Sequence, residues 1–155
     1  MDSIFKSIDN SSEFVAICKN KNLDVSLGDM TDIRFQPHTF DYLISIASFH
    51  HLSNEDSRRL CLQEMSRVLK PKGQILLSVW SKEQPAKTKR IFENYGDINV
   101  PWKLKNGSII DRYYYIFKLE EIRQLFSYTG FKVLDYRWDC GNEVFILEKM
   151  DSKLM

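Results

Sequence analysis

Two adjacent histidines, His50 and His51, follow the nearly continuous apolar run Phe40 to Ala47 (FDYLISIA) and precede a helix start in SIASFHHLSNEDSRR. Imidazole is the side chain whose charge changes near neutral pH, so a pair at a strand end can contact a polar substrate. The pair can equally serve as a helix entry, with one ring capped and the other solvated. A zinc site with His38 is a third use, but two adjacent residues rarely both reach one tetrahedral ion, and no metal is expected. Two carboxylates occupy comparable places. Asp9 closes the short stretch Ile4 to Asp9, and Asp29 follows LDVSL (23–27) and Gly28. A carboxylate offers two acceptor oxygens, which suits paired hydroxyls or an exocyclic amine. Asp9 reads equally as a helix cap ahead of Ser11 and Ser12, and Asp29 as part of a plain turn.

These residues need strands and helices to hold them. The apolar run at 40–47 reads as a strand covered by helices on both faces of a parallel sheet. A helix follows, with Ser53 as N-cap, Glu55 and Asp56 in the first turn, Cys61, Met65, Val68 and Leu69 on one face, and an end at Lys70, Pro71 and Gly73. GQILLSVW (73–80) is a second buried strand, and Phe14 to Lys19 is helical. This alternation predicts an α/β fold with a mostly parallel sheet and crossover helices. The C-terminal third breaks the pattern: a helix over 119–128, then strands over 131–138 and 142–149 joined at Cys140 and Gly141, predicted to pair antiparallel. The long segment 81–118 has weak periodicity, and its aromatics argue for order.

With 155 residues, 43% of them apolar, the chain fits one domain. A net charge of +1 gives no global field for nucleic acid, so such binding would need a local patch. Lys82, Lys87, Lys89, Arg90, Lys103 and Lys105 are the candidates, and an ordinary solvated loop is the alternative. Cys18, Cys61 and Cys140 lack the spacing of a zinc or disulfide framework, which suits a reducing cytoplasm. No apolar run matches a membrane span, and the expected location is cytoplasmic, with the nucleus also open.

A strand ending in an acid, a strand followed by Gly-Asp-Met, an apolar strand after Phe-Asp, a helix ending RVLKPKG (67–73) and a closing antiparallel pair together resemble the S-adenosylmethionine-dependent methyltransferases with a Rossmann-like, class I sheet. SIASFHHLSNEDSRR, SVW (78–80), VPWKLK (100–105) and DRYYYIF (111–117) are similar to the family that methyl-esterifies 5-carboxymethyluridine at the tRNA wobble position. The resemblance spans about residues 4 to 149. It implies S-adenosylmethionine as cofactor, with Asp9 on the ribose hydroxyls, Asp29 on the adenine amine, Met30 on the adenine ring, and Ile46 and Ala47 at the strand end where ligands of open α/β sheets bind. It also implies that His50 or His51 contacts the modified base. A carboxylate is already deprotonated at neutral pH, so groups that aim it matter more than a base. Arg112 and Tyr113 are the candidates, with Arg59, Trp80 and Trp102 as further substrate contacts. Tyr113 to Tyr115 read alternatively as an edge strand with half its rings buried. The family's partners are the tRNA anticodon loop and a small zinc-binding activator protein at the sheet edge, here Leu23 to Leu27.

The family's first strand and glycine-rich loop have no counterpart, since residue 4 already resembles the second strand and the six glycines never cluster. An N-terminally truncated domain is therefore expected. Asp9, Asp29 and His51 are expected to share one crevice. Beside the tRNA methyltransferase stand two alternatives: a noncatalytic RNA- or partner-binding protein, and a small-molecule methyltransferase.

Overall fold

A computed structural model describes residues 5–88 and 90–151. Ile4 of the expected first strand and Lys89 of the expected basic segment lie outside them. The chain opens with a β–α–β crossover: β1 (Ser7–Asp9), α1 (Ser12–Asn20) and β2 (Val25–Leu27), with the strands parallel and Ser7 opposite Val25. Ser11 starts α1 by accepting the Phe14 N–H, and Glu13 and Lys19 complement the helix dipole at its two ends.

A second parallel crossover follows, made of β3 (Phe40–Ile46), a 3-10 turn (Phe49–His51), α2 (Glu55–Val68) and β4 (Leu69–Trp80). The N-cap of α2 is Asn54, not Ser53: the Asn54 side chain accepts the Ser57 N–H at 2.8 Å. The helix also ends earlier than the Lys70–Gly73 signal predicts. Leu69 is already extended, and the Lys149 ammonium donates to the carbonyls of Ser66 and Leu69 at 2.6 and 2.8 Å, satisfying groups the last turn leaves open. Burial lowers the pKa of that ammonium.

Next come the hairpin β5 (Gly96–Lys103) and β6 (Ile109–Ile116), then α3 (Leu119–Tyr128), β7 (Phe131–Asp139) and β8 (Asn142–Lys149). The segment with weak periodicity thus contains a two-stranded ribbon, and Tyr113 to Tyr115 lie on one of its strands. β7 and β8 pair antiparallel as expected. Cys140 (φ 48°) and Gly141 (φ 85°) are both left-handed, the geometry that closes a two-residue hairpin without splaying its strands.

The strands form three hydrogen-bonded sets: β1–β2, β3–β4–β8–β7 and β5–β6. The core lies where α2 and α3 cover β4 and β8, with Phe49, Leu62, Ile75, Leu77, Phe126 and Phe145 fully buried. The segment after β2 joins this core through α2. Glu64 accepts the Ile33 N–H, and Arg67 donates to the carbonyls of Ile33 and Phe35. One expectation fails: β3 is not covered on both faces. Tyr42, Ile44 and Ile46 are 72%, 68% and 55% exposed. Composition cannot tell a strand sandwiched by helices from one whose outer face and edge no other described element covers.

Candidate functional site

On one side of the site, local turns hold the acids. Asp9, at the tip of β1, accepts the Ser11 N–H through Oδ1 at 2.8 Å, which holds the turn ahead of α1; the helix cap itself is Ser11 and not Asp9. Asp29, just after β2, accepts the Thr31 N–H and hydroxyl through its own Oδ1, both at 2.7 Å. Among the described residues, the second oxygen of each carboxylate carries no hydrogen bond. Gly28 lets this turn pass close to β1, since a Cβ there would stand 3.3 Å from the Ile8 side chain. A hollow of about 270 Å³ opens here, lined by Asn10, Leu27, Gly28, Asp29, Asp32 and Arg34. Met30 packs half-buried against the core. Cys61 is buried, and its thiol pKa is pushed up to about 12 by burial and by the nearby Asp29 and Glu64 charges, which leaves it unreactive.

Long-range contacts build the other side. Ala47, after β3, adopts φ 51° and donates its N–H to Ser78, turning the chain into the 3-10 turn that carries both histidines. His50 has no exposed surface. Its Nδ1 accepts the Trp80 backbone N–H at 2.9 Å, which fixes the proton on Nε2, and that buried Nε2–H has no hydrogen-bond partner among the described residues. The rings of His51, Trp80 and Tyr114 surround it at centroid distances of 4.7, 5.3 and 5.1 Å. Burial, with His51 adding, lowers the His50 pKa to about 3, so the ring is neutral.

His51 is exposed. Its Nδ1 lies 2.8 Å from the Tyr113 carbonyl, an acceptor only, so Nδ1 carries a proton and, in the uncharged form of the ring, Nε2 is the acceptor. Tyr114 stacks on Trp80 at 4.0 Å with the planes 8° apart, and the Arg90 guanidinium sits over Trp80, 4.0 Å from the ring centre. Tyr113 donates its hydroxyl proton toward Asp97 and Ser53 while accepting from Arg58 Nη2. Burial and the Asp97 hydrogen bond push its pKa up to about 12, so it stays protonated and donating.

Asp9, Asp29, the histidines and Trp80 thus stand at or just after the carboxyl ends of β1 to β4, which form two parallel pairs. Residues 3–77 match the methyltransferase-domain family. The chain is 31% identical over 144 residues to the tRNA (carboxymethyluridine(34)-5-O)-methyltransferase of Schizosaccharomyces pombe, covering 79% of this chain and 63% of that protein. An Arabidopsis thaliana protein of the same name is 38% identical over 80 residues, covering 52% and 20%. The crystal structure of an S-adenosylmethionine-dependent methyltransferase from Methanosarcina mazei superposes with a TM-score of 0.74 at 19% identity, covering 93% of this chain and 82% of that one. The chain has the class I methyltransferase fold. It spans less than two thirds of the length of the curated relatives named here.

S-adenosylmethionine is the cofactor of this methyltransferase fold. The acid side fits its nucleoside half, because Asp29 lines the hollow with a free oxygen, and Asp9, next to the lining residue Asn10, keeps one as well. The glycines at 28, 73, 96, 107, 130 and 141 stand singly, so the sequence holds no glycine-rich cradle for the amino-acid half.

Two expectations are corrected. Asp9, Asp29 and His51 do not line one crevice: the hollow at Asp29 includes neither Asp9 nor His51, and β1–β2 shares no ladder with β3 among the described residues. His50 cannot touch a substrate as a contact residue, because it is enclosed within the wall; His51 is the accessible ring. Arg59 is committed elsewhere, paired with Glu55 on the surface of α2. Arg112 and Trp102 lie on the outer part of the hairpin, with the guanidinium 4.6 Å from the indole centre. His38 is remote, its Nδ1 3.1 Å from the Leu69 carbonyl. Arg58 escapes sequence reasoning, and Tyr114 enters it only as part of the Tyr113 to Tyr115 run. Tyr114 is the ring that locks the hairpin to Trp80. Arg58, buried, donates to the Leu52 carbonyl at 3.0 Å and lies 3.5 Å from the centre of the Tyr115 ring. An arginine at the first buried position of a polar helix was the signal available for it.

Proposed function

We propose that this methyltransferase domain transfers a methyl group from S-adenosylmethionine to the carboxylate of 5-carboxymethyluridine at the wobble position of a tRNA anticodon. The likeness to the S. pombe protein of that activity motivates the reading. The structural observation that carries it is His51: exposed at the end of β3, with Nδ1–H fixed on the Tyr113 carbonyl, it offers a preset acceptor at Nε2. That lone pair suits a uracil imide N–H. The cofactor supplies an electrophilic methyl group. A carboxylate oxygen forms the new bond to the methyl carbon as the carbon–sulfur bond breaks, and no proton need be removed. What remains for the protein is orientation of the nucleophile at about 3 Å. His51 holds the base, His50 and Trp80 hold His51 and Tyr114 in place, and Arg58 fixes Tyr113. Asp9 and Asp29 take the ribose hydroxyls and the adenine amine. The exposed Leu23 and Leu27 beside the short β2 support edge addition by a small zinc-binding activator protein.

Nucleoside mass spectrometry of tRNA from cells lacking the gene tests the proposal. The wobble methyl ester is expected to disappear; an unchanged level rejects the reading and leaves small-molecule methylation. The scattered glycines favour a second reading, a noncatalytic RNA- or partner-binding protein. Calorimetry with S-adenosylmethionine separates the two, since micromolar binding by this chain removes the noncatalytic reading.

A further inference from the structure

The β5–β6 hairpin is anchored at its base and bare at its outer end. Its register pairs Ile98 with Tyr114, Val100 with Arg112 and Trp102 with Ile110, so these six side chains share one face. At the inner end Tyr114 is buried against Trp80 and beside His51. At the outer end Trp102 and Ile110 are each 44% exposed, and Arg112 lies over the indole. Lys103, paired with Ile109 on the opposite face, and Lys105, in the turn, are exposed at this end of the hairpin. Among the described residues no carboxylate forms an ion pair with Arg112, Lys103 or Lys105. Asp111 belongs to the opposite face, and Asp97 is engaged by Tyr113.

The face therefore begins at the accessible histidine and ends in an aromatic plane and a planar cation, with two point charges just beyond it, Lys105 in the turn and Lys103 on the reverse of the strand end. Neutral apolar partners would leave three cations unpaired, whereas a polyanion with flat bases satisfies both kinds of group. The geometry points to this outer face as a platform for single-stranded RNA: a nucleotide neighbouring the reacting one stacks on the Trp102–Arg112 pair, and Lys103 and Lys105 meet its phosphates. The inference rests on the tRNA reading above and adds to it a seat for the flanking nucleotides. From Tyr113 to Ile110, opposite Trp102, the strand runs three residues, about 10 Å at the usual rise, so adjacent nucleotides can reach both ends. Arg112 then acts on the neighbouring nucleotide and not on the carboxylate.

Fluorescence anisotropy of the full chain with an anticodon stem-loop RNA tests the platform, with thermal unfolding as a control that each variant is folded. Trp102→Ala is expected to weaken binding about tenfold. The loss should vanish on a loop whose nucleotides flanking the wobble position are abasic, which damage to the hairpin would not produce. Lys103→Gln with Lys105→Gln should lower the slope of log affinity against log salt by about 1.4. If the wild type binds the loop and the folded variants bind equally with the same slope, the platform is overturned, the face is left to a protein partner, and the tRNA reading stands. If the wild type does not bind the RNA at all, the tRNA reading falls and the platform with it.

Discussion

The two sides of the site are built in opposite ways. Asp9 and Asp29 are positioned by bonds to residues two places along the chain, and the free oxygen of each carboxylate is left to a ligand. His50, His51, Trp80, Tyr113 and Tyr114 are positioned by one another across intervals of 30 and 62 residues, and most of their polar groups are already spent inside the protein. The acid side is a binding surface attached to the fold, whereas the aromatic side is fold that also borders the site. Substitutions should separate the two: on the acid side they change ligand affinity at nearly constant stability, and on the aromatic side they change stability first.

The largest effect is expected at Tyr114. Tyr114→Ala removes a ring that is 3% exposed and stacked on Trp80, and the cavity should cost about 3 kcal/mol in denaturant unfolding. Arg58→Ala comes next. It leaves the Leu52 carbonyl and the Tyr113 hydroxyl without their charged donor, at about 2 kcal/mol, and should loosen the hairpin base enough to raise amide exchange in β6. A loss below about 0.5 kcal/mol for either variant would mean that the aromatic side is as peripheral as the acid side.

The same division explains what could be read from the sequence. The order of strands and helices, the two-residue turn at Cys140 and Gly141, and the acids at strand ends are local signals, and they held. Asp9 as a cap was two residues off, since Ser11 caps α1 and Asp9 holds the turn before it with one oxygen, leaving the other free. The enclosure of His50 was not legible. It depends on Trp80 and Tyr114 arriving from elsewhere, and adjacent identical residues give no hint which one turns inward. Ser53 and Asn54 are both good cap types; backbone geometry at Asn54 and the use of the Ser53 carbonyl by Tyr113 select Asn54. The bare face of β3 was equally hidden, since an apolar strand reads the same whether or not a neighbour covers it.

Protonation probes the aromatic side without disturbing its packing at neutral pH. The folded His50 pKa lies near 3 because burial, and secondarily His51, disfavours the cation, while the unfolded chain titrates near the ordinary 6.5. A depressed folded pKa means that the full contribution is present above pH 6.5 and is lost as pH falls toward 3. Within that window the unfolded chain binds a proton that the folded one refuses, and each pH unit costs about 1.4 kcal/mol. Urea unfolding at pH 7 and pH 5 should therefore show a fall of about 2 kcal/mol that His50→Phe lacks, whatever that variant loses at both pH values. Equal falls in the two proteins would show that His50 is not held neutral by its enclosure.

The smallest change in stability, and the sharpest contrast, is expected on the acid side. Asp29→Asn keeps a carbonyl oxygen able to accept from Thr31, so unfolding should shift by no more than about 0.5 kcal/mol. The free carboxylate oxygen becomes an amide, which donates where an adenine amine also donates. Calorimetry should then show S-adenosylmethionine affinity reduced at least about tenfold, the loss of one charge-assisted hydrogen bond. Asp9→Asn should behave alike, because Ser11 keeps its acceptor while one of two ribose hydroxyls loses its own. Unchanged affinity in both variants would leave these carboxylates as turn residues alone, and the hollow beside Gly28 would then have no claim on the cofactor.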